Sequence, residues 1–405
     1  MTYRPRESTV ASSVPLFWQR ALALLLAGCI LAILGASDRA ISATLRVGST
    51  RAYHSVRAAA QAVHDGDLVL IDAGVYRGDV ASWRANGLTV RGVGGTARMI
   101  ADGAQEGGKG IWVVYGRDFT AEQIEFSGAS VPDRNGAGIR ADIAGRLVVR
   151  ACSFHDNENG ILAGADEIVI ERSRFNRNGA GDGKTHNMYV WGRSITIREC
   201  ETRRARVGHN IKTRGQTNYI LYNRILDEKD GTASYSVDVP DCGRTYLIGN
   251  IIEQGPASEN RGIVSYGAES ASNPAELYVV NNTFVNDNRD GGTFIHVRDG
   301  ARALVQNNIF EGPGTPWEGG DVQARRNWIR LPLRSAPHFR APAAYDYRLT
   351  TASPRSIVDA GAPPGLSPSG FDLTPRREYV APASSRVRPR YGAIDLGAFE
   401  APPRR

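Results

Sequence analysis

Through the middle of the chain, short runs of β-branched and aliphatic residues alternate with polar positions, and the pattern recurs. It reads RLVVRACSF from Arg146, EIVIERSRF from Glu167, SITIRECET from Ser194 and NYILYNRIL from Asn218. TYLIGNIIE from Thr245, ELYVVNNTF from Glu276 and RALVQNNIF from Arg302 complete the series. Each is a strand of period two, then a small or amide residue, then an apolar one. Recurrence at roughly 21 to 32 residues predicts stacked coils and an elongated body rather than one central core. Ser55–Tyr76 breaks the rhythm: its Ala-rich stretch predicts a helix, and an Asp-Gly turn leads into a strand. That segment predicts a cap, since an open first coil exposes unpaired edges and apolar interior. Coils then run from about Leu88 to Phe310, punctuated by Gly-Asn, Asp-Gly and Gly-Gly pairs. Beyond them, DYRLTTASPRSIVDAGAP and YGAIDLGAFE sit in Pro- and Arg-rich sequence that predicts a cover rather than a second catalytic domain. The organisation expected is 1–43 as targeting segment, 44–87 as cap and first strands, 88–312 as repeats and 313–405 as cover.

The residue after each strand forms a column: Cys152, Ser173, Cys200, Asn223, Asn250, Asn282, Asn308. A coil turning inward leaves backbone groups that need partners, and stacked amides can bond one another along the axis. This signature resembles the right-handed parallel β-helix proteins of pectate lyase-like fold. That group contains pectate lyases, alginate lyases and epimerases, and chondroitinase B-like enzymes. The resemblance covers about Ser55 to Gly312 and implies an all-β right-handed parallel β-helix solenoid, with an N-terminal helical cap and an irregular C-terminal cover. It does not select one activity, because one fold carries many.

The composition agrees, with 45 Gly and 20 Pro but only 3 Met among 405 residues favouring strands and turns over helices. The formal charge is +7. Four arginines against two acids lie in residues 1–43, so the remainder keeps about +5. A basic balance favours an anionic partner. No Lys/Arg block or basic helix argues for nucleic acid, and acidic polysaccharide suits the targeting signal better. That signal is the apolar Ala21–Ala36 behind Arg4, Arg6 and Arg20, ending in Ile41-Ser42-Ala43. It reads as a signal peptide cleaved near Ala43, which places the protein outside the cytoplasm, secreted or in the periplasm or cell envelope. Retention as an uncleaved anchor would tie the protein to a membrane, but the run is short for spanning. Leu26-Ala27-Gly28-Cys29 also resembles a lipoprotein cleavage box. Cys152, Cys200 and Cys242 are too few for a disulfide scaffold, and two coils of about 4.8 Å separate Cys152 from Cys200.

Candidate chemistry lies on the second strand of each coil. Aligned by the ladder, successive coils read HNMYVW, HNIKTR, ASYSVD, RGIVSY and GTFIHV, the last with Gly292 treated as an insertion. Alternation with Met188, Ile211, Tyr235, Ile263 and Phe294 inward puts three columns outside. They are Asn187, Asn210, Ser234; Tyr189, Lys212, Ser236; and Trp191, Arg214, Asp238, Tyr266. Lys212 and Arg214 then project side by side, flanked by aromatics on one coil and by Ser236 and Asp238 on the next. Aromatics stack on sugar rings and cations pair with carboxylates, as a groove for sugar acids requires. His186 and His209 head equivalent strands. A stacked pair could shuttle protons, hold a metal or merely satisfy turn hydrogen bonds. No third ligand at suitable spacing supports a transition-metal site. Calcium, the one cofactor left open, could use Asp227, Glu228 and Asp230. His296 aligns inward, as a core histidine.

Elimination at a uronic acid needs a cation to neutralise the carboxylate, a base for the adjacent C–H, and an acid for the leaving oxygen. Arg214 suits the first role because it stays charged and binds in bidentate fashion. Lys212 could be the base only after losing its proton; Arg214 pushes that way and Asp238 opposes it. Tyr189, His209 and His186 are the alternative proton carriers. A Lys and Arg pair in β-helix lyases of the alginate and chondroitin type looks similar, which the resemblance carries onto Lys212 and Arg214. NGAGDGKT, Asn178–Thr185, is not a phosphate-binding loop, since Asn178 replaces the first Gly and a strand follows instead of a helix. No Gly-x-Ser-x-Gly elbow occurs. Asp238 is the only acid on the proposed face, with Glu228, Asp241 and Glu269 in flanking turns, so a glycosidase pair is thinly represented. The expectation is a polysaccharide lyase with Asn187, Trp191, Asn210, Ser236, Asp238, Tyr266 and His186 binding substrate. A uronate epimerase, a glycoside hydrolase and a non-catalytic envelope or matrix glycan-binding protein are the alternatives.

Overall fold

The computed structural model describes Met1 and residues 42–270 and 275–404. The expected targeting segment falls largely on residues 2–41 and lies outside the described residues. Among those described, no helix is long and apolar enough to cross a membrane.

From Thr44 to Ile329 the chain winds as a parallel β-helix whose strands stack in three ladders, joined into one sheet by strands that run across two of them. One coil illustrates the path: Arg146–Arg150, Ser153–His155, then the first half of Asn159–Glu171, whose second half begins the next coil. Every strand pairs in parallel with its equivalent one coil away. The coils therefore extend past the expected 88–312 at both ends. Thr44–Val47 and Leu68–Arg77 already form rungs, and Thr315–Glu318, Asp321–Arg325 and Trp328–Ile329 complete a last coil. The last coil was hidden because its strands are mostly exposed and lack the β-branched runs of their neighbours.

Inward positions stack on themselves. Phe126, Phe154 and Phe175 lie parallel at 4.9 and 4.8 Å, and Phe284 lies on Phe310 at 5.0 Å. The residue before each position of the amide column is left-handed: Gln123, Ala151, Arg172, Glu199, Tyr222, Asn281, Asn307 and Arg326 have φ between 50° and 59°, and Gly249 stands before Asn250. Such a conformation costs a non-glycine residue about 1–2 kcal/mol. The amide ladder offsets that cost. Asn223, Asn250, Asn282 and Asn308 each direct Nδ2 and a backbone N–H to the Oδ1 of the next rung, ending on Asn327. Cys152, Cys200 and Cys242 are free and buried, and burial pushes the Cys152 and Cys200 thiols up to about 12.

The cap is the helix Val56–Ala62, started by Ser55 Oγ accepting from Ala58 N. Residues 330–404 form two hairpins and irregular loops packed against one flank of the coils. Asn281 donates to Asp395 and Gly397 carbonyls, Arg224 to the Tyr345 carbonyl, and Tyr379 to Glu201. These contacts leave uncovered the sheet that carries Lys212.

Candidate functional site

The uncovered sheet contains Ala137–Asp142, the N-terminal halves of Asn159–Glu171, Met188–Arg198 and Ile211–Leu221, then Val237–Val239, Gly262–Tyr266 and Thr293–Val297. Tyr189 pairs with Lys212 and Trp191 with Arg214, as the alternation predicts. The next rung differs. Lys212 pairs with Asp238, not Ser236, because the loop inserted before Val237 lengthens that coil by two residues relative to the expected alignment. Asp238 then pairs with Ser265, and Ser265 with His296. In the two later coils Ile263 and Phe294 lie in the core as expected, but so do Val264 and Ile295, one position on, and the alternation along the strand runs from these. A one-residue slip exchanges faces. Tyr266 consequently lies in the core, donating from its hydroxyl to the Gly243 carbonyl, while His296 is exposed. The runs GIVSY and TFIHV have adjacent apolar residues, so alternation alone could not fix their phase.

Three further expected ligands are structural. Asn187 and Asn210 are buried in a second amide ladder at the corner before the strand. It runs Asn157, Asn178, Asn187, Asn210 and ends on Asp227. Ser236 follows Asn210 in register and is also buried, its hydroxyl without a partner among the described residues. None of the three reaches the surface.

What the sheet does bring together is compact. Lys212 Nζ lies 3.2 Å from Asp238 Oδ2 and 3.1 Å from Glu269 Oε1. Arg214 donates from Nε to Tyr189 Oη at 2.8 Å, from Nη1 to Asp241 Oδ1 at 2.6 Å, and from Nη2 to Glu269 Oε2. The Glu269 carboxylate thus bridges the two cations. Both cations also face the Tyr189 ring, at 5.5 and 5.9 Å from its centroid. Burial works against the Arg214 charge, but its bonds to Glu269, Asp241 and Tyr189 outweigh it and raise its pKa. Hydrogen bonding from Arg214 holds Glu269 below the usual carboxylate range. Burial works to raise Asp241, but Arg214 and Ser270 outweigh it and hold it low as well. Asp238 differs, since burial pushes it upward against the pull of Lys212. Glu269 and Asp241 come from turns that alternation along a strand cannot place, which is why they stood outside the expected site.

The histidines stack at 4.7 Å with 11° between rings. His186 Nδ1 accepts the His209 backbone N–H, and His209 Nδ1 accepts that of Tyr235. Both protons therefore sit on Nε2, and His209 Nε2 faces Asp238 at 3.4 Å. Burial, assisted by the Lys212 charge, pushes His209 down to about 3, and burial lowers His186 well below its usual value. Neutral and with their lone pairs engaged, neither ring can take a substrate proton or join the other on a metal. His209 is removed from the expected bases on this ground, and His186 from the sugar ligands on its burial.

Trp191 is half-buried and meets Tyr189 edge to face at 5.7 Å. It lies over Gly164, where any Cβ would overlap the indole nitrogen. Tyr189 and Trp191 floor a cleft of about 430 Å³ that continues toward earlier coils over Leu162 and Arg140. The 178–185 segment, discounted as a phosphate loop, supplies Asp182, Lys184 and Thr185 to its wall. Arg140 was missed although it occupies the same outward column two coils before Tyr189. The expected calcium ligands do not converge. Asp227 is buried against Asn210 and Ser258, while Glu228 turns to Arg203 and Asp230 to Arg204. Among the described residues no group of three or more His, Cys, Asp or Glu could hold a metal.

Residues 74–225 match the family model described as right handed beta helix region. The crystal structure of pectate lyase Pel9A is similar in fold, with a TM-score of 0.59 and 15% identity, covering 89% of this chain and 97% of that one. No curated protein matches the sequence. With its three parallel ladders, internal amide ladder and stacked aromatic core, the chain is a right-handed parallel β-helix of pectate lyase-like fold.

Proposed function

We propose that the protein binds an acidic polysaccharide along its uncovered sheet and cleaves it by β-elimination at a uronic acid. One observation carries this reading: a carboxylate, that of Glu269, already lies across Lys212 and Arg214 in the manner a sugar carboxylate would. Glu269 is half exposed, on a turn, and can be displaced without opening the core. A uronate in its place would keep the charge-assisted contact with Arg214 and a hydrogen bond from Lys212, and stack a ring face near Tyr189 and Trp191. The fold similarity to a pectate lyase supports the architecture, and the residues support the chemistry. The N-terminal pattern, read as an export signal, agrees with a protein sent to where such polymers occur.

In the reaction, Arg214 neutralises the sugar carboxylate and so stabilises the negative charge that develops when the adjacent C–H ionises. Lys212 takes that proton after passing its own to Asp238, whose burial favours the protonated form. The electron pair forms the new carbon–carbon double bond as the glycosidic C–O bond breaks. Tyr189 protonates the departing oxygen, its own lone pair held by Arg214 Nε. Hydrolysis is less well served, because Asp241 and Glu269 both sit on Arg214 and are held ionised, leaving Asp238 alone as a candidate acid. An epimerase would share the first step and return the proton to the other face.

The test is a pair of variants. Lys212→Ala and Tyr189→Phe should each lower kcat by at least about 100-fold, the scale of lost proton transfer, with binding changed little. If both leave turnover intact, the site is elsewhere. If both merely weaken binding of a glycan that is never cleaved, the protein is a binder.

A further inference from the structure

On the sheet that carries Lys212 and Arg214, Arg140 is a half-buried cation with no ion pair among the described residues. Its Nη1 is buried and has no hydrogen-bond partner among them. Buried donors are almost always paired, and an orphaned charged one is costlier than a neutral one. Arg134 in the same cleft is different, since it donates to the Ala180 carbonyl and faces Asp182 at 3.7 Å. The acids of the cleft wall do not serve Arg140 either: Asp182 faces Arg134, and Asp133 faces Lys109 at 3.8 Å.

Register fixes where Arg140 stands. Arg140, Leu162, Tyr189 and Lys212 form one outward column on four consecutive coils. Three rungs separate Arg140 from Lys212, about 14 Å along the axis. Between them run the apolar Leu162 and the rings of Tyr189 and Trp191, which line the cleft. That order of cation, apolar floor and cation pair fits an extended chain of rings with acidic groups at both ends. The span exceeds one sugar ring.

We infer that Arg140 is a second carboxylate subsite, so that the substrate is a polyuronate, with acidic groups on sugars lying over both Arg140 and Lys212, rather than a neutral polymer with isolated acids. This rests on the acidic-polysaccharide reading above and deepens it. The polymer lies along the helix axis, and Arg140 binds without joining the chemistry.

The experiment is calorimetric titration of the full chain and its Arg140→Gln variant with uronate hexamers of pectic, alginate and glycosaminoglycan type, beside carboxyl-reduced counterparts. Turnover is followed in parallel. One charge-assisted contact predicts at least about tenfold weaker binding of the acidic hexamer by the variant and equal binding of the reduced one. Arg140→Lys should recover part of the loss. Removing an unpaired cation should not lower the melting temperature, which separates a lost contact from a damaged fold. Equal affinity of variant and parent for the acidic hexamer overturns the subsite while leaving elimination standing if the parent still cleaves. Weakened binding with no cleavage by the parent keeps the subsite and removes elimination. If no acidic hexamer binds the parent, both fall.

Discussion

Replacing Glu269 by glutamine should tighten the binding of polyuronates. Its carboxylate makes two contacts, with Lys212 Nζ at 3.1 Å and with Arg214 Nη2, and a substrate carboxylate must displace both. A buried hydrogen bond between charged groups contributes about 1.5–3 kcal/mol, and an exposed ion pair about 0.2–1 kcal/mol. The Glu269 side chain is 51% exposed, which puts each contact nearer the lower figure. Together they amount to about 1–2 kcal/mol, or roughly a 5- to 30-fold gain in affinity once the competing charge is gone. Titration of the parent and Glu269→Gln with one uronate hexamer, at low and at physiological salt, measures this. The gain should shrink as salt screens the half-exposed carboxylate's contacts, and KM should fall with kcat little changed. Binding equal to or weaker than that of the parent refutes the reasoning. Glu269 would then be holding the two cations in place, not standing where the sugar carboxylate goes.

Glu253 is fully buried, with one oxygen accepting the backbone N–H groups of Asp227 and Glu228 and the other unpartnered; burial pushes it up to about 8. An acid raised in the folded state is protonated in both states below its ordinary value near 4.5, so its ionisation removes stability as pH rises from there to about 8. The full effect is about 4–5 kcal/mol, and Glu253→Gln should raise the urea midpoint at pH 8.5 but barely at pH 4.5; equal shifts at both would contradict this. Asp227, raised by its burial to about 6, should leave a smaller slope in the variant. Gly164→Ala should displace the Trp191 indole and weaken hexamer binding, with far-ultraviolet circular dichroism unchanged; retained affinity would mean the indole does not stack on sugar. Asn250→Ala strands the Ile220 carbonyl and the Asn223 donors inside the core, and should cost about 3–5 kcal/mol in denaturant unfolding, against under 1 kcal/mol if the ladder is incidental.

The coils were legible because each repeat states its own period and its own turn. The amide column from Asn223 to Asn308 could be read from sequence since the residue that turns the chain also fills the ladder. The neighbouring pairs Tyr189–Lys212 and Trp191–Arg214 were legible for a related reason, as HNMYVW and HNIKTR have no insertion between equivalent positions. Asp238 was placed on the correct face but two positions out of register, because the turn containing Asp227–Thr232 has no internal marker of its length. Tyr266 and His296 exchanged faces where consecutive apolar residues left the phase open. Asn187 and Asn210 looked like ligands because an amide on a strand end reads the same whether it faces sugar or another amide. The roles of Glu269, Asp241 and the orphaned Arg140 nitrogen depend on turns and on side-chain reach, which no periodicity encodes.

The central claim is elimination at the Lys212–Arg214 centre, and it is met most directly by following ultraviolet absorbance of purified residues 44–405 with pectic, alginate and glycosaminoglycan uronates. A time-dependent rise from the unsaturated sugar, lost in Lys212→Ala while that variant still binds, is the result predicted. A flat trace with every polymer, accompanied by measurable binding, would contradict it and leave a glycan-binding β-helix in its place.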